Sequence, residues 1–264
     1  MTVSGTERMG ECVTYGVDGH VAVITIDRPE ARNAVSPEVA QGIEAAIDAA
    51  EADDGVWALV LNGTPPVFSA GADLKAINEG RAAELSTARG GFGGVARRER
   101  SKPLIAAVEG AALAGGTEMV LACDLVVAAE NARFGVPEVK RGLIAAAGGL
   151  FRLGRKIPVN LAMECVLTGD PIDARIAHHH GLVNALCTPG EALQTALELA
   201  RRITANAPLA VRESRRIVLE CTGADDEEAW ARSEESAARV FASDDVREGV
   251  LAFIEKRAPA WTGR

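Results

Sequence analysis

Short apolar runs bounded by glycine or polar residues alternate with longer amphipathic stretches in the first half of the chain. The runs are Val13–Val17, Val21–Ile26, Val56–Leu61, Leu104–Val108 and Leu125–Ala128. Apolar runs of this length predict β-strands, and a run with apolar residues on both faces, such as Val21–Ile26, predicts a strand covered on both sides.

Helical segments are predicted between these strands. Ser36 followed by Pro37 is typical of an N-cap and a first helical turn, and the helix is expected to end near Asp53. Two shorter helices are predicted at Leu74–Ile77 and Gly115–Ala122. A strand, a glycine turn and a helix therefore recur three times before residue 135, which predicts an α/β fold.

The second half of the chain has mainly helical periodicity. After a helix that ends near Leu167, a helix at Asp173–His180 and a short strand at Leu182–Leu186, four amphipathic stretches follow. These are Glu191–Thr204, Pro208–Cys221, Glu227–Phe241 and Asp244–Lys256. A long and partly apolar tail of this kind predicts packing against another subunit. The segment Glu79–Arg100 is interpreted as helical but mobile, with a hinge at Gly91–Gly94.

Composition narrows the classes of function. The chain has 264 residues, of which 48% are hydrophobic, and its net charge of −9 argues against a nucleic-acid backbone as the main partner. Its five cysteines show no pairing motif, which favours free thiols in a reducing compartment. No apolar run reaches the roughly 18 residues that span a bilayer, and residues 1–11 lack the apolar core of a signal peptide. We therefore expect a soluble, cytoplasmic protein.

Two turns of small residues carry the first chemical signal. One turn contains Gly71 and Ala72 and the other contains Gly115, and each leads from a predicted strand into a predicted helix. The backbone N–H groups at such helix starts are unpaired and can converge to form an oxyanion hole. Glu118 lies in the first turn of the second helix, and Glu138 follows Pro137. Two neighbouring carboxyls in an apolar turn can serve as an acid–base pair, although spacing alone does not show that they meet.

The order of several motifs resembles that of the crotonase (enoyl-CoA hydratase/isomerase) family. The segments that carry the resemblance are Ile24–Pro29, Asn33–Ala34, Phe68–Lys75, Lys102–Gly149 and Glu248–Arg257. The resemblance implies a spiral of ββα units over residues 1–197 and a helical trimerisation region over residues 198–264. It also implies a homotrimer or a hexamer made of two trimers.

The resemblance assigns roles to residues by position. Glu118 and Glu138 match the two catalytic glutamates of the hydratase branch, and Ala72 and Gly115 match the donors of the oxyanion hole. The positions that match coenzyme A contacts are Ala31, Arg32, Ala70, Asp73, Leu74, Lys75, Ala146, Phe253 and Lys256. No metal or redox cofactor is implied, because coenzyme A belongs to the substrate.

The implied reaction is reversible syn addition of water to a trans-2-enoyl-CoA, which makes the protein a hydro-lyase. Isomerisation of a 3-enoyl-CoA, dehydration of carnitinyl-CoA, and an RNA- or protein-binding role without catalysis are the alternatives. The acyl chain stays open between fatty-acid, branched amino-acid and sterol side-chain catabolism. Two departures from the family pattern, Ala114 and the alanine run Ala145–Ala147, bear on the acyl preference because they add methyl groups near the reacting carbon.

Other polar positions are interpreted as structural. Asp73 is expected to be a helix N-cap before it is a substrate group, and Asp124 a capping or pairing residue. Three consecutive histidines, His178–His180, cannot all face one metal ion from a helix, so they predict a solvated helix end. The basic run of Arg97, Arg98 and Arg100 is interpreted as a solvated face in preference to a phosphate site.

Overall fold

The computed structural model describes residues 5–264. Its strands are β1 (Glu7–Arg8), β2 (Val13–Asp18), β3 (Val21–Ile26), β4 (Ala58–Gly63), β5 (Ser86–Thr87), β6 (Gly91–Phe92), β7 (Leu104–Val108), β8 (Ala111–Leu113), β9 (Leu125–Ala129), β10 (Arg133–Gly135), β11 (Ile172–Asp173) and β12 (Ala185–Cys187). They form a seven-stranded sheet in the order β1-β2-β3-β4-β7-β9-β12, a three-stranded sheet in the order β11-β10-β8, and the hairpin β5-β6.

The helices connect and cover these sheets. They are α1 (Pro37–Ala52), α2 (Leu74–Asn78), α3 (Gly115–Leu121), α4 (Gly149–Lys156), α5 (Val159–Thr168), α6 (Ala174–His179), α7 (Ala192–Thr204), α8 (Pro208–Cys221), α9 (Asp226–Phe241) and α10 (Asp244–Glu255). From β3 to β12 every neighbouring pair in the large sheet is parallel. The α/β fold expected from the sequence is therefore confirmed.

Both faces of the large sheet are buried, as the uninterrupted apolar strands predicted. One face packs with α1, whose Val39, Ile43 and Ile47 are fully buried. The other face packs against α7 through Leu197 and small alanines. Helix α1 starts where the sequence indicated, since the Ser36 hydroxyl accepts a hydrogen bond from the Val39 N–H at 3.3 Å.

The small sheet determines where Glu118 and Glu138 lie. Strands β8 and β10 are parallel, and Leu113 pairs with Gly135 at the end of both. The next residues of each strand turn in the same direction, one into α3 and the other into a single 3₁₀ turn at Pro137–Arg141. Strands β8, β10 and β11 were not predicted, because strands of two or three residues carry too little periodicity.

Two predictions about the local structure are corrected. The segment Glu79–Arg100 is not helical: it contains a 3₁₀ turn at Ala82–Leu85, the β5–β6 hairpin and a series of turns. Gly91, Gly93 and Gly94 all have positive φ values between 62° and 69°, which a right-handed helix does not permit. Helix α4 was missed, because it begins at two glycines and carries no capping side chain.

The last helices form the predicted helical region. Helices α8 and α9 pack against each other, and α10 follows Ser243. The predicted boundary at residue 198 falls inside α7, which belongs to the sheet core because it covers one of its faces. The role of this region in oligomerisation stays a prediction. Within residues 5–264, no helix is both long and apolar enough to cross a membrane.

Candidate active site

One large cavity opens beside the ends of β8 and β10 and has a volume of about 1500 Å³. All but two of the thirteen predicted site residues line it. They are Ala31, Arg32, Ala70, Ala72, Asp73, Leu74, Lys75, Gly115, Glu118, Glu138 and Ala146. Phe253 and Lys256, at the end of α10, are the two that do not, and the Phe253 side chain is 86% exposed. A coenzyme A contact from these two residues within one chain is therefore not supported.

The turn before α3 brings a backbone donor to this cavity. Ala114 has φ 51° and ψ −128°, a conformation that strains a residue with a side chain. It directs the N–H of Gly115 out of the helix end. A methyl group on Gly115 would lie 2.3 Å from the Phe92 ring, so glycine is required for this close contact.

The second small-residue turn touches the first. A methyl group at Gly71, whose φ is +92°, would lie 2.9 Å from the Gly115 nitrogen. Within residues 5–264, neither the Ala72 N–H nor the Gly115 N–H has a hydrogen-bond partner. Two free backbone donors on adjoining turns of one cavity wall are the arrangement that an oxyanion requires.

Glu118 is a buried carboxyl in the first turn of α3, with only 4% of its surface exposed. Its Oε1 accepts a hydrogen bond of 2.9 Å from the Gly149 N–H at the start of α4. Burial raises the pKa of Glu118, and the charge of Glu138 raises it further. The amides of Gly149 and Ala147 and the guanidinium of Arg152 oppose this shift because they favour the ionised form.

Glu138 is held in a different way. It is half-buried, and its Oε2 is shielded from solvent and has no hydrogen-bond partner in residues 5–264. Burial raises the pKa of this carboxyl as well, while the Arg141 charge opposes the shift. A buried and unpartnered carboxylate oxygen is unusual in a folded protein, and here it borders the cavity.

The β8–β10 register explains why the two carboxyls share one cavity. Gly135 is three residues before Glu138 in the chain, and it pairs with Leu113 on the strand that leads to Glu118. The Thr117 hydroxyl fixes this pairing: it accepts from the Gly135 N–H at 2.9 Å and lies 2.7 Å from the Ala112 carbonyl oxygen. The sequence could not show this register, because neither short strand was predicted.

The expected coenzyme A positions fall into two groups. Arg32 and Lys75 are exposed cations on the cavity wall, and no ion pair engages either of them within residues 5–264. Asp73 is instead occupied by the protein: its carboxylate accepts from the Lys75 N–H at 2.9 Å and pairs with Arg28 at 2.9 Å. The N-cap interpretation of Asp73 is confirmed.

The remaining polar residues from the sequence have structural environments. Asp124 pairs with Arg100 at 3.2 Å and with Arg215 at 3.0 Å, as a pairing residue should. Arg98 pairs with Asp48, so the prediction of a solvated face is wrong for Arg98 and Arg100, whose side chains are largely buried. Arg97 is exposed and borders the cavity.

The structure adds residues around the two glutamates whose roles could not be read from the sequence. Arg152 on α4 and Arg141 on the 3₁₀ turn each act on one of the two glutamates. Phe92 covers Gly115, and Gly149 supplies the N–H for Glu118. A basic side chain in an amphipathic helix gives no sequence signal of such a role, because most such side chains are solvated.

Comparison with known proteins gives this geometry a family. The family model for enoyl-CoA hydratase/isomerase matches residues 16–264. The chain belongs to the enoyl-CoA hydratase/isomerase family. A crystal structure of an enoyl-CoA hydratase from Mycobacterium tuberculosis H37Rv is 47% identical, with a TM-score of 0.92 over 96% of this chain and 99% of that chain.

Two curated members of the family show the range of similar proteins. Enoyl-CoA hydratase EchA19 of Mycobacterium tuberculosis is 40% identical over 93% of this chain and 94% of its own length. Carnitinyl-CoA dehydratase of Salmonella typhi is 36% identical over 97% of this chain and 100% of its own length. The crotonase fold and the hydratase branch predicted from the sequence are therefore confirmed.

Proposed function

We propose that this protein is an enoyl-CoA hydratase that adds water reversibly to a trans-2-enoyl-CoA and forms a 3-hydroxyacyl-CoA. The observation that carries the proposal is the presence of both Glu118 and Glu138 on the wall of the cavity that also receives the free N–H groups of Ala72 and Gly115. Similarity to named hydratases over nearly the whole chain supports it.

The proposed mechanism gives the two carboxyls different tasks. Glu118 accepts a backbone N–H and lies in the field of Arg152, so its ionised form is the better stabilised. It takes a proton from water as the oxygen bonds to the β-carbon. Glu138 has no donor on Oε2, so its protonated form is favoured, and it delivers a proton to the α-carbon.

The thioester oxygen carries negative charge while the proton is transferred. In the proposal, the N–H groups of Ala72 and Gly115 donate to that oxygen, and loss of one such donor costs about 3–4 kcal/mol in comparable sites. The addition leaves Glu118 protonated and Glu138 ionised, and a proton passes from Glu118 through water to Glu138 before the next turnover, so the reaction balances without a metal or a redox group. Coenzyme A enters as part of the substrate, and Arg32 and Lys75 supply positive charge for its phosphates.

The cavity also discriminates among the alternatives. An isomerase needs one carboxyl to move a proton between two carbons, whereas this cavity presents two. A carnitinyl substrate carries a quaternary ammonium group, and several cations that border the cavity would repel it. Arg89 and Arg98 pair with Asp48, and Arg32 and Lys75 face the phosphates in this proposal, so the cations that remain are Arg97, Arg141 and Arg152. The hydratase assignment is therefore favoured over both alternatives.

The decisive experiment follows the loss of enoyl-thioester absorbance with crotonyl-CoA and longer 2-enoyl-CoAs. Glu118→Gln and Glu138→Gln are expected to lower kcat/KM by about 10²–10⁴-fold, the usual contribution of one acid or base. Glu164→Gln, an exposed carboxyl on α5, is the matched control and should retain full activity. Turnover of a 3-enoyl-CoA without turnover of any 2-enoyl-CoA would establish the isomerase instead.

A trimer, or a hexamer of two trimers, is part of the proposal. Three large apolar side chains on α10 are unusually exposed: Val250 at 58%, Phe253 at 86% and Ile254 at 69%. Burial of apolar surface of this size typically stabilises a subunit interface. Phe253 and Lys256 would then reach a substrate only across that interface. Light scattering of the purified protein measures the mass, and a stable monomer would contradict this part of the proposal.

The proposed location is the cytoplasm, and the proposed role lies in acyl-CoA catabolism. All five cysteines are free thiols, which suits a reducing compartment. Fractionation of cells that express the tagged protein tests the location. The chain-length profile of the hydration assay tests the metabolic role, because fatty-acid, branched and sterol side-chain thioesters differ in size and branching.

A further inference from the structure

Arg152 on α4 has an unusual environment for a cationic side chain. Its Nη1 is shielded from solvent, and no group in residues 5–264 accepts a hydrogen bond from it. Charged guanidinium groups that lose water normally gain a carboxylate or carbonyl partner in exchange. Arg98 and Arg100 also have a buried Nε without a partner, but each pairs with a carboxylate through another nitrogen, Arg98 with Asp48 and Arg100 with Asp124. Within residues 5–264, Arg152 has no such ion pair.

The position of the Arg152 guanidinium is nonetheless well defined. It lies 5.4 Å from the centre of the Phe151 ring, within the range of a cation–π contact. A methyl group at Gly148 would lie 2.8 Å from its Nη1, so the guanidinium rests against the backbone that leads into α4. The next residue, Gly149, donates its N–H to Glu118. Arg152 is thus built into the same turn that holds the carboxyl.

We infer that Arg152 is a positioning residue that keeps the Glu118 carboxyl ionised and its water-binding oxygen oriented during hydration. Resting on the proposed hydratase function, the inference deepens it by naming the group that sets the charge state of the base. An ionised base is required at the moment when water loses its proton. A fixed positive charge against Gly148, beside the Gly149 N–H that holds the carboxylate, stabilises that ionised state without a hydrogen bond of its own and leaves the carboxylate oxygens available to water.

The charged groups around Glu118 determine whether removal of the Arg152 charge raises or lowers the pKa of Glu118. From the 3₁₀ turn, the Glu138 charge raises the pKa of Glu118, whereas Arg141 acts on Glu138. From α4, Arg152 lowers the pKa of Glu118, and Arg155 acts on Arg152 itself. Cys123, just after α3, adds no charge because burial raises the pKa of its thiol to about 12. Removal of the Arg152 charge therefore raises the pKa of Glu118.

Arg155 offers a matched control on the same helix. It lies 5.2 Å from the same Phe151 ring, yet it does not border the cavity. The experiment measures kcat/KM for crotonyl-CoA from pH 5 to pH 9 in the wild type, Arg152→Met, Arg152→Lys and Arg155→Met. Melting curves show that each variant is folded.

We expect Arg152→Met to move the acid limb of the profile upward by about one pH unit. Its kcat/KM then falls by up to about 10-fold on the acid limb and changes little on the plateau above it. Arg152→Lys restores most of the acid limb, and Arg155→Met leaves it in place. A loss of equal size at every pH, or a profile that matches Arg155→Met, overturns the inference.

A second measurement separates this inference from the hydratase assignment. The infrared band of the protonated Glu118 carboxyl, identified by its absence in Glu118→Gln, is followed against pH without substrate. If no 2-enoyl-CoA reacts but the band still titrates at higher pH in Arg152→Met, the electrostatic inference stands and the proposed function fails. If the wild type hydrates substrate and the band does not move, the inference alone is overturned.

Discussion

Two regions of the molecule bury a charged side chain, and they do so in opposite ways. Lys102, before β7, has 1% of its surface exposed, and its Nζ donates to the carbonyl oxygens of Ala50 at 2.6 Å and Asp53 at 2.7 Å. Glu118 is almost as deeply buried, yet it accepts one backbone hydrogen bond and lies close to a second carboxyl.

The difference separates a structural charge from a functional one. The carbonyl groups at the end of α1 have no helical partners, and the Lys102 ammonium satisfies them. Glu118 leaves part of its hydrogen-bonding capacity open toward the cavity, where a substrate and water would complete it. A buried charge with every partner present stabilises the fold, whereas one with open capacity destabilises it locally and supports chemistry.

The largest expected effect concerns Lys102. Lys102→Met leaves the buried Ala50 carbonyl without a donor, whereas the Asp53 carbonyl keeps the Val56 N–H. We expect the unfolding free energy to fall by about 2–3 kcal/mol. Urea unfolding measures the loss. Lys156→Met, at an exposed position on α4, should change stability by less than about 0.5 kcal/mol. Equal effects of the two changes would show that the Lys102 charge does not stabilise the fold.

Replacement of Glu118 is expected to raise stability, whereas replacement of Lys102 lowers it. Glu118→Gln keeps an oxygen for the Gly149 N–H and removes a buried negative charge beside Glu138. We expect the variant to gain about 1 kcal/mol at neutral pH, which corresponds to a rise in Tm of roughly 2–4 °C. Calorimetry measures the rise. A lower Tm in this variant would mean that Glu118 stabilises the fold, as Lys102 does.

The dependence of stability on pH tests the same contrast between Lys102 and Glu118. The pKa of Glu118 is raised in the folded state, so the unfolded chain releases this proton first, near pH 4.3, the approximate value for a free glutamate. The wild type therefore loses stability relative to Glu118→Gln as pH rises through that value and up to the folded-state pKa. Below about pH 4 the two proteins should be equally stable. Thermal melts from pH 3.5 to pH 8 test this course.

The smallest expected effect concerns strain in the backbone at the same site. Ala114 adopts φ 51° and ψ −128°, which suits glycine. Ala114→Gly relieves this strain but increases the freedom of the unfolded chain, so we expect a net gain of about 0.5–1 kcal/mol. Urea unfolding measures it, with Ala132→Gly as a control in a turn without positive φ. A loss of stability at position 114 would show that the methyl group packs usefully against Gly71.

The sequence predicted the larger elements of the fold and eleven of the residues that line the cavity, but not how the cavity is assembled. Strong apolar runs and the Ser36 cap predicted β2, β3, β7 and α1 to within a residue or two. Strands of three residues are too short to show an alternating apolar pattern. One pair of such strands, β8 and β10, brings Glu118 and Glu138 to the same cavity. Burial of Arg152 depends on tertiary packing, which no local pattern encodes.

The Thr117 hydroxyl has a consequence for how this scaffold can change over evolution. It binds backbone groups of both β8 and β10, so the main-chain frame beneath the two carboxyls does not depend on the carboxyl side chains themselves. Either glutamate can therefore be replaced without moving the other. A scaffold with such independent positions can acquire a new reaction through one substitution at a time, each tested on an intact frame.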